Sequence, residues 1–130
     1  MKDRLAPLFA LIGAAHLALG ALMAAAPKVF FEEIGPYATR NDHYIRDVSS
    51  FYFAMGAVAL VAVRRRAWRV PVLTFFLIQY VLHSANHLID VGEAAPKALG
   101  PVNLVSLALT AGLLGYLLRA SKRSNEEVVA

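Results

Sequence analysis

The chain has 130 residues, of which 58% are hydrophobic and 17% charged, and its mean hydropathy is +0.55. It contains no cysteine, which excludes disulfide bonds, thiolate metal sites and thiol redox chemistry. The net charge of +4 does not indicate nucleic-acid binding, because the basic residues flank apolar blocks instead of forming one face with interleaved aromatic residues.

Four long apolar blocks predict an all-α fold, an integral membrane four-helix bundle. The predicted spans cover residues 5–26, 44–63, 70–91 and 102–118. Each has roughly 17–22 residues, which at 1.5 Å per residue crosses a ~30 Å hydrocarbon core. We expect one domain over residues 1–120 and a disordered cytoplasmic tail over residues 121–130.

Local signals place the ends of these spans. The first block stops before Pro27, and Asn41 or Asp42 suits the N-cap of the second. Pro71 fits the first turn of the third, where no backbone N–H is needed. The basic start and small residues 24–26 of the first block also fit a cleaved signal peptide. Because Pro27 would follow the cleavage point, we expect the segment to be retained.

The positive residues predict the orientation. Most of them precede the first span, fill the connection between the second and third, or follow the fourth: Lys2, Arg4, Arg64, Arg65, Arg66, Arg69, Arg119, Lys122 and Arg123. The other two connections hold only Lys28, Arg40, Arg46 and Lys97. The positive-inside rule therefore places both termini in the cytoplasm. Membrane lipids are the first expected partners.

Small residues predict where the helices pack closely, since helix association in lipid depends on close contact more than on apolar burial. They comprise Gly13, Ala14, Gly20, Gly56, Ala59, Gly112 and Gly115, together with an Ala10, Ala14 and Ala18 face on the first span. The same faces suit a homo-oligomer.

Polar residues within the spans lie mainly in the halves away from the arginine-rich connection. This distribution predicts an outward-facing pocket between the helices. Its candidate ligand-binding residues are His16, Arg46, Asp47, Tyr52, Gln79, Tyr80, His83, Asn86, His87 and Asp90. Arg46 and Asp47 also suit a simpler role at the start of the second span, where aspartate favours the helix N-terminus and arginine reaches the interface.

The third span has the most specific pattern. Gln79, His83, His87 and Asp90 are spaced four, four and three residues apart, which stacks them on one helix face. Three hypotheses follow: a Zn, Fe or Mn site on His83, His87 and Asp90; a site for a small quinone-like ligand; and a structural network that sets helix packing. No motif specifies a reaction, although either histidine would be the acid–base candidate, with Arg46 stabilising negative charge.

Two short motifs suggest a family. Residues 43–52, HYIRDVSSFY, followed by Gly56, resemble the second helix of small four-helix bacterial membrane proteins of the DoxX-like and related uncharacterised groups. Residues 79–83, QYVLH, and 86–90, NHLID, resemble their third helix. The resemblance implies a bacterial plasma-membrane protein. Because DoxX is associated with thiosulfate–quinone oxidoreduction, it also implies that the pocket meets a quinone or a membrane redox partner, as an accessory part of a redox complex.

Overall fold

The structure, a computed structural model, describes Asp3 and residues 5–129, with side chains as far as Arg123. Its five α-helices are α1 (Ala6–Ala25), α2 (Pro27–Glu33), α3 (Asp42–Arg64), α4 (Arg69–Ile89) and α5 (Leu99–Val129), and a 3₁₀ turn, Arg66–Trp68, joins α3 to α4. All except α2 are long and apolar enough to cross a membrane. The all-helical prediction is therefore confirmed, and four of the helices have the length and composition that a membrane span requires. Lys2 and Arg4, used to predict orientation, lie outside the described residues.

The long helices run between two ends of the bundle. At one end the connections 34–41 and 90–98 meet, where Tyr37 and Ala94 form an isolated β-bridge and Ala95 N–H donates to the Pro36 carbonyl at 3.1 Å. We call this the loop end. At the other end Asp3 contacts residues 66 and 69 of the α3–α4 connection. We call this the arginine end.

The helix boundaries follow local chemistry. Asn41, not Asp42, caps α3, because its side-chain oxygen accepts from Tyr44 N–H at 3.0 Å. The backbone of α5 stays helical past residue 118 to Val129, through the segment that we expected to be a disordered tail. Neither proline nor glycine occurs after Gly115, and alanine, arginine, lysine and glutamate favour helix there.

The closest packing in the bundle joins α1 to α3, whose backbones meet at two facing glycines. A Cβ built on Gly56 would lie 2.9 Å from the Gly13 carbonyl oxygen and 2.7 Å from Leu17 Cγ; one on Gly13 would lie 3.1 Å from the Gly56 carbonyl oxygen. Ala59 is fully buried beside them. The predicted role of these small residues is confirmed.

Gly20 also approaches α3 closely, whereas some of the other predicted small residues make no close helix contact within the described part of the chain. Ala14 and Ala18 are exposed, and a Cβ on Gly112 would meet no heavy atom within 4 Å among the described residues. The α4–α5 contact, which is the second largest, instead uses larger side chains. The core contains Phe9 and Leu73.

Arg69 is almost fully buried at the arginine end and joins three segments. Its Nε and Nη2 donate to the carbonyls of Ala62 and Val63 at 3.1 and 3.2 Å, which satisfies two acceptors left free at the end of α3. Its Nη1 and Nη2 donate to the two carboxylate oxygens of Asp3 at 3.0 and 2.7 Å. These bonds hold the pKa of Asp3 well below its usual range.

The glycine contact predicts a large difference between two matched substitutions. Gly56→Ala forces backbone or Leu17 to move, so we expect it to lower the free energy of unfolding by about 1–3 kcal/mol. Gly112→Ala, in open space on α5, is the control and is expected to cost nothing. Thermal unfolding in detergent, followed by circular dichroism, measures both. Equal melting temperatures for the two variants would contradict the close α1–α3 contact.

The Asp3–Arg69 pair predicts a pH-dependent stability difference. Asp3→Asn is expected to lower the free energy of unfolding at pH 7 by about 1–3 kcal/mol, since a buried guanidinium loses its charged partner. The folded-state pKa of Asp3 is below its ordinary 3.8. The contribution is therefore fully present above about pH 4 and disappears as the pH falls further. Denaturant titrations of both proteins between pH 3 and 8 test this; a constant difference down to pH 3 would show that the charge is not responsible.

Candidate functional site

The predicted pocket residues form two separate clusters. His16, Tyr52 and Tyr80 lie together in the interior, and we call them the His16 cluster. Gln79, His83 and His87 lie towards the loop end with Tyr37, and we call these four the histidine chain. The remaining predicted residues, Arg46, Asp47, Asn86 and Asp90, are exposed on the surface.

In the His16 cluster, both ring nitrogens of the histidine have hydrogen-bond partners within the fold. His16 Nδ1–H donates to the Ile12 carbonyl at 2.8 Å, which leaves Nε2 to accept from the Tyr80 hydroxyl at 3.1 Å. The imidazole, only 7% exposed, stacks near Tyr52 with ring centroids 5.8 Å apart and lies 4.9 Å from the Phe76 ring. Since both ring nitrogens have partners, this cluster fits the structural hypothesis.

Helix packing explains why His16 is buried. It lies one turn after Gly13 on α1 and one turn before Gly20, which approaches Tyr52 Cβ closely enough that an added Cβ would lie 3.2 Å away. The face of α1 that contacts α3 therefore includes the histidine. Tyr80 reaches it from α4, so the His16–Tyr80 bond links the α1–α3 pair to the α4–α5 pair.

The histidine chain runs along one face of α4 and ends on a loop. His83 Nδ1 lies 3.3 Å from Gln79 Nε2, His83 Nε2 lies 3.0 Å from His87 Nε2, and His87 Nδ1 lies 2.9 Å from the Tyr37 hydroxyl. The i, i+4 spacing predicted this contact, and the half-buried rings are 4.8 Å apart. With neutral imidazoles, a single N–H occupies the contact between the two Nε2 atoms.

The orientation of the Gln79 side-chain amide affects which atoms donate in the histidine chain. Its Oε1 is buried and has no partner among the described side chains. With the amide turned over, Oε1 would instead accept from His83 Nδ1–H. If His87 Nδ1–H also donates to the Tyr37 hydroxyl, both Nε2 atoms present free lone pairs towards each other.

Tyr37 belongs to the site and was not among the predicted residues. It lies in the connection after α2, held by the bridge to Ala94 and by a hydrogen bond in which Asn103 Nδ2 donates to the Ile34 carbonyl at 2.8 Å. Its ring meets His87 edge-on at 4.9 Å. Helical periodicity cannot place a loop residue, so the sequence contained no local signal for this contact.

Arg46 and Asp47 lie apart from both clusters. Asp47 pairs with His43 across 3.4 Å on the outside of α3, and the Arg46 side chain makes no hydrogen bond to the residues that the structure describes. The inward face of α3 contains Ile45 and Ser49, and residues 46 and 47 point roughly 100° and 200° away from Ile45 on a helix of 3.6 residues per turn. The position at the start of α3 agrees with the simpler role as interfacial residues.

The expected stack of four residues ends one member early. Helix α4 stops at Ile89, and Asp90 is an exposed C-cap residue outside the helix. The described part of the chain contains no group of three or more histidine, aspartate or glutamate side chains placed to hold a metal ion. The structure therefore brings His83 and His87 together but does not add Asp90 to them.

Comparisons with protein-family models, with curated proteins and with solved structures found no match. The similarity to DoxX-like proteins thus stays a prediction that depends on the two short motifs.

The His16–Tyr80 bond predicts a stability effect with a matched control. Tyr80→Phe removes the donor to a buried ring nitrogen, so we expect it to lower the free energy of unfolding by about 0.5–2 kcal/mol. Tyr116→Phe removes the same hydroxyl from a side chain that is 68% exposed on α5 and is expected to change little. Thermal unfolding in detergent compares them. If Tyr80→Phe were as stable as the parent, the bond would not join the two helix pairs.

Proposed function

We propose that this chain is an integral membrane protein of the bacterial plasma membrane, with both termini cytoplasmic, that binds a transition-metal ion through His83 and His87. The four apolar helices support membrane insertion. The arginines of residues 64–69 and the basic residues in the last part of α5, Arg119, Lys122 and Arg123, support the orientation, because they share one end of the bundle.

The observation that supports metal binding best is the convergence of two ring nitrogens. The Nε2 atoms of His83 and His87 are 3.0 Å apart. With metal–nitrogen bonds of about 2.0–2.1 Å, that separation corresponds to an N–metal–N angle of about 90–100°. This is the angle between neighbouring ligands in octahedral or square-planar sites.

The partners of the other two ring nitrogens support the same proposal. Metal-binding histidines usually donate their second N–H to an oxygen, which fixes the ring and its tautomer. Tyr37 Oη stands 2.9 Å from His87 Nδ1, and the unpartnered Gln79 Oε1 can replace Nε2 beside His83 Nδ1. Both imidazoles are thus held in position to present Nε2.

The two imidazole ligands limit which metal ions could bind at this site. Two neutral imidazoles without thiolates suit Cu²⁺, Ni²⁺, Zn²⁺ or Fe²⁺ better than Ca²⁺ or Mg²⁺. Since two protein ligands leave coordination positions open, water or a substrate oxygen would complete the shell. The site would then be a binding site with exchangeable positions and not a closed structural one.

A quinone-like ligand is the second candidate, and the same contact favours it. A ligand that breaks the hydrogen bond between the neutral histidines would find one Nε2–H to donate to its carbonyl and one Nε2 to accept from its hydroxyl. This would agree with an accessory role beside a membrane redox partner, as the resemblance to DoxX-like proteins implies. The two ligands require different protonation states, because a metal ion needs both Nε2 atoms deprotonated, whereas a quinone-like ligand uses one Nε2–H as a donor.

The metal proposal predicts a specific loss. Detergent-purified, EDTA-stripped protein is dialysed against Cu²⁺, Ni²⁺ or Zn²⁺ alone, and the bound metal is measured by elemental analysis. We expect about one ion per chain in the parent, and loss of that ion in His83→Ala and in His87→Ala. Tyr37→Phe is expected to weaken binding roughly 10–100-fold through the lost orienting bond.

His43→Ala is the matched control, since this histidine is exposed and only contacts Asp47. It should retain the ion. Equal metal binding by the parent and both histidine variants would overturn the proposal. If no metal binds the parent and the variants only lower the melting temperature, the two histidines stabilise helix packing and bind no ion. If a soluble quinone raises the melting temperature of the parent but not of the variants, the second candidate is favoured.

A further inference from the structure

An apolar groove runs between α3 and α4 on the surface, in the half nearer the arginine end. It encloses about 330 Å³, and every residue that lines it is apolar, with Phe51 and Val58 on α3 facing Trp68 and Phe75 on the other side. The groove exists because α3 and α4 contact each other over far less surface than α1 and α3. Its volume falls within the range of small-molecule sites, roughly 300–1,000 Å³.

A positive charge stands at the mouth of this groove. Arg65 is the C-cap residue directly after α3, and its carbonyl accepts from the Trp68 N–H at 3.0 Å, so Arg65 lies one turn from the tryptophan that lines the groove. Trp68 is 46% exposed. An interfacial tryptophan beside an arginine is the arrangement expected where a lipid headgroup meets its acyl chain.

The arginines of this connection divide into two groups. Arg66 and Arg69 are engaged by Asp3, at 3.4 and 2.7 Å. Arg64 and Arg65 are exposed and form no ion pair with any side chain that the structure describes. Guanidinium groups bind phosphate oxygens well, through two parallel N–H bonds. The positive charges of Arg64 and Arg65, which form no ion pair with the described side chains, are therefore available to a phosphate at this end of the groove.

We propose that the α3–α4 groove is a specific site for an anionic phospholipid, with an acyl chain between Phe51 and Phe75 and the phosphate on Arg65. The proposal depends on the membrane location but not on the metal site. A zwitterionic lipid would fill the groove equally well, yet its headgroup brings no net charge to Arg64 and Arg65. Selectivity for the anionic lipid is thus the distinguishing property.

Trp68 provides a direct measurement, because it is the single tryptophan of the chain and lines the groove. The full-length protein is reconstituted in phosphatidylcholine vesicles that contain a minor fraction of either brominated phosphatidylglycerol or brominated phosphatidylcholine. Bromine on the acyl chain quenches tryptophan fluorescence on contact. We expect phosphatidylglycerol to quench at about fivefold lower mole fraction, the factor for one interfacial arginine contact.

Three variants make the test specific. Arg65→Gln is expected to remove the preference, while Arg119→Gln, an exposed arginine on α5, removes the same charge and should leave it unchanged. Ala54→Phe fills the groove at an exposed position and should weaken quenching by the anionic lipid.

Equal quenching by both lipids, or a preference that survives Arg65→Gln, would overturn the site and leave the membrane location standing. Absence of quenching by either lipid would also overturn the site, since Trp68 would not face acyl chains; a second copy of the chain covering the groove would give this result within the membrane.

Discussion

The contact between the backbones of α1 and α3 at Gly13 and Gly56 determines the arrangement of the rest of the bundle. Apolar surface provides little drive for helices to associate in lipid, so close backbone approach replaces it. This contact fixes the rotation of both helices. It turns His16 on α1 and Tyr52 on α3 inward, and it leaves Arg46 and Asp47 outside. The opposing pair, α4 and α5, then meets the first pair through Phe76 and Tyr80, not through backbone.

Two polar clusters in the same small bundle differ in one physical respect. His16 uses both ring nitrogens on partners within the fold, so binding a ligand there would cost a hydrogen bond between the helix pairs. In the histidine chain two like atoms face each other, and only one can hold the shared proton. Without that proton, both nitrogens would be acceptors 3.0 Å apart, and this is the arrangement on which the proposed metal site depends. Polar groups at membrane depth thus serve two purposes in one chain.

Much of the fold could be predicted because hydropathy decides where a chain enters lipid. The predicted spans 5–26 and 70–91 differ from α1 and α4 by at most two residues at each end, and the contact of His83 with His87 follows from helical spacing. The rotation of each helix about its own axis was harder to predict from the sequence. The sequence did contain a signal for α3, since Gly56 marks the inward face and Ser49, seven residues earlier, shares it. Counting from Ser49 would have placed Asp47 outside, although it would have left Arg46 at the edge of the inward face. Tyr37 had no such signal, because loop contacts depend on where two distant connections meet.

The pairing of Asp3 with Arg69 has a consequence for the order of biosynthesis. A buried guanidinium is costly in a membrane until it finds a counter-charge. Its partner lies 66 positions earlier in the chain and leaves the ribosome well before the arginine. In the proposed membrane location, the segment that leads into α1 therefore already presents a carboxylate when α3 and α4 are made. The counter-charge of Arg69 is thus already present when Arg69 is synthesised, so the pair can form during cotranslational assembly.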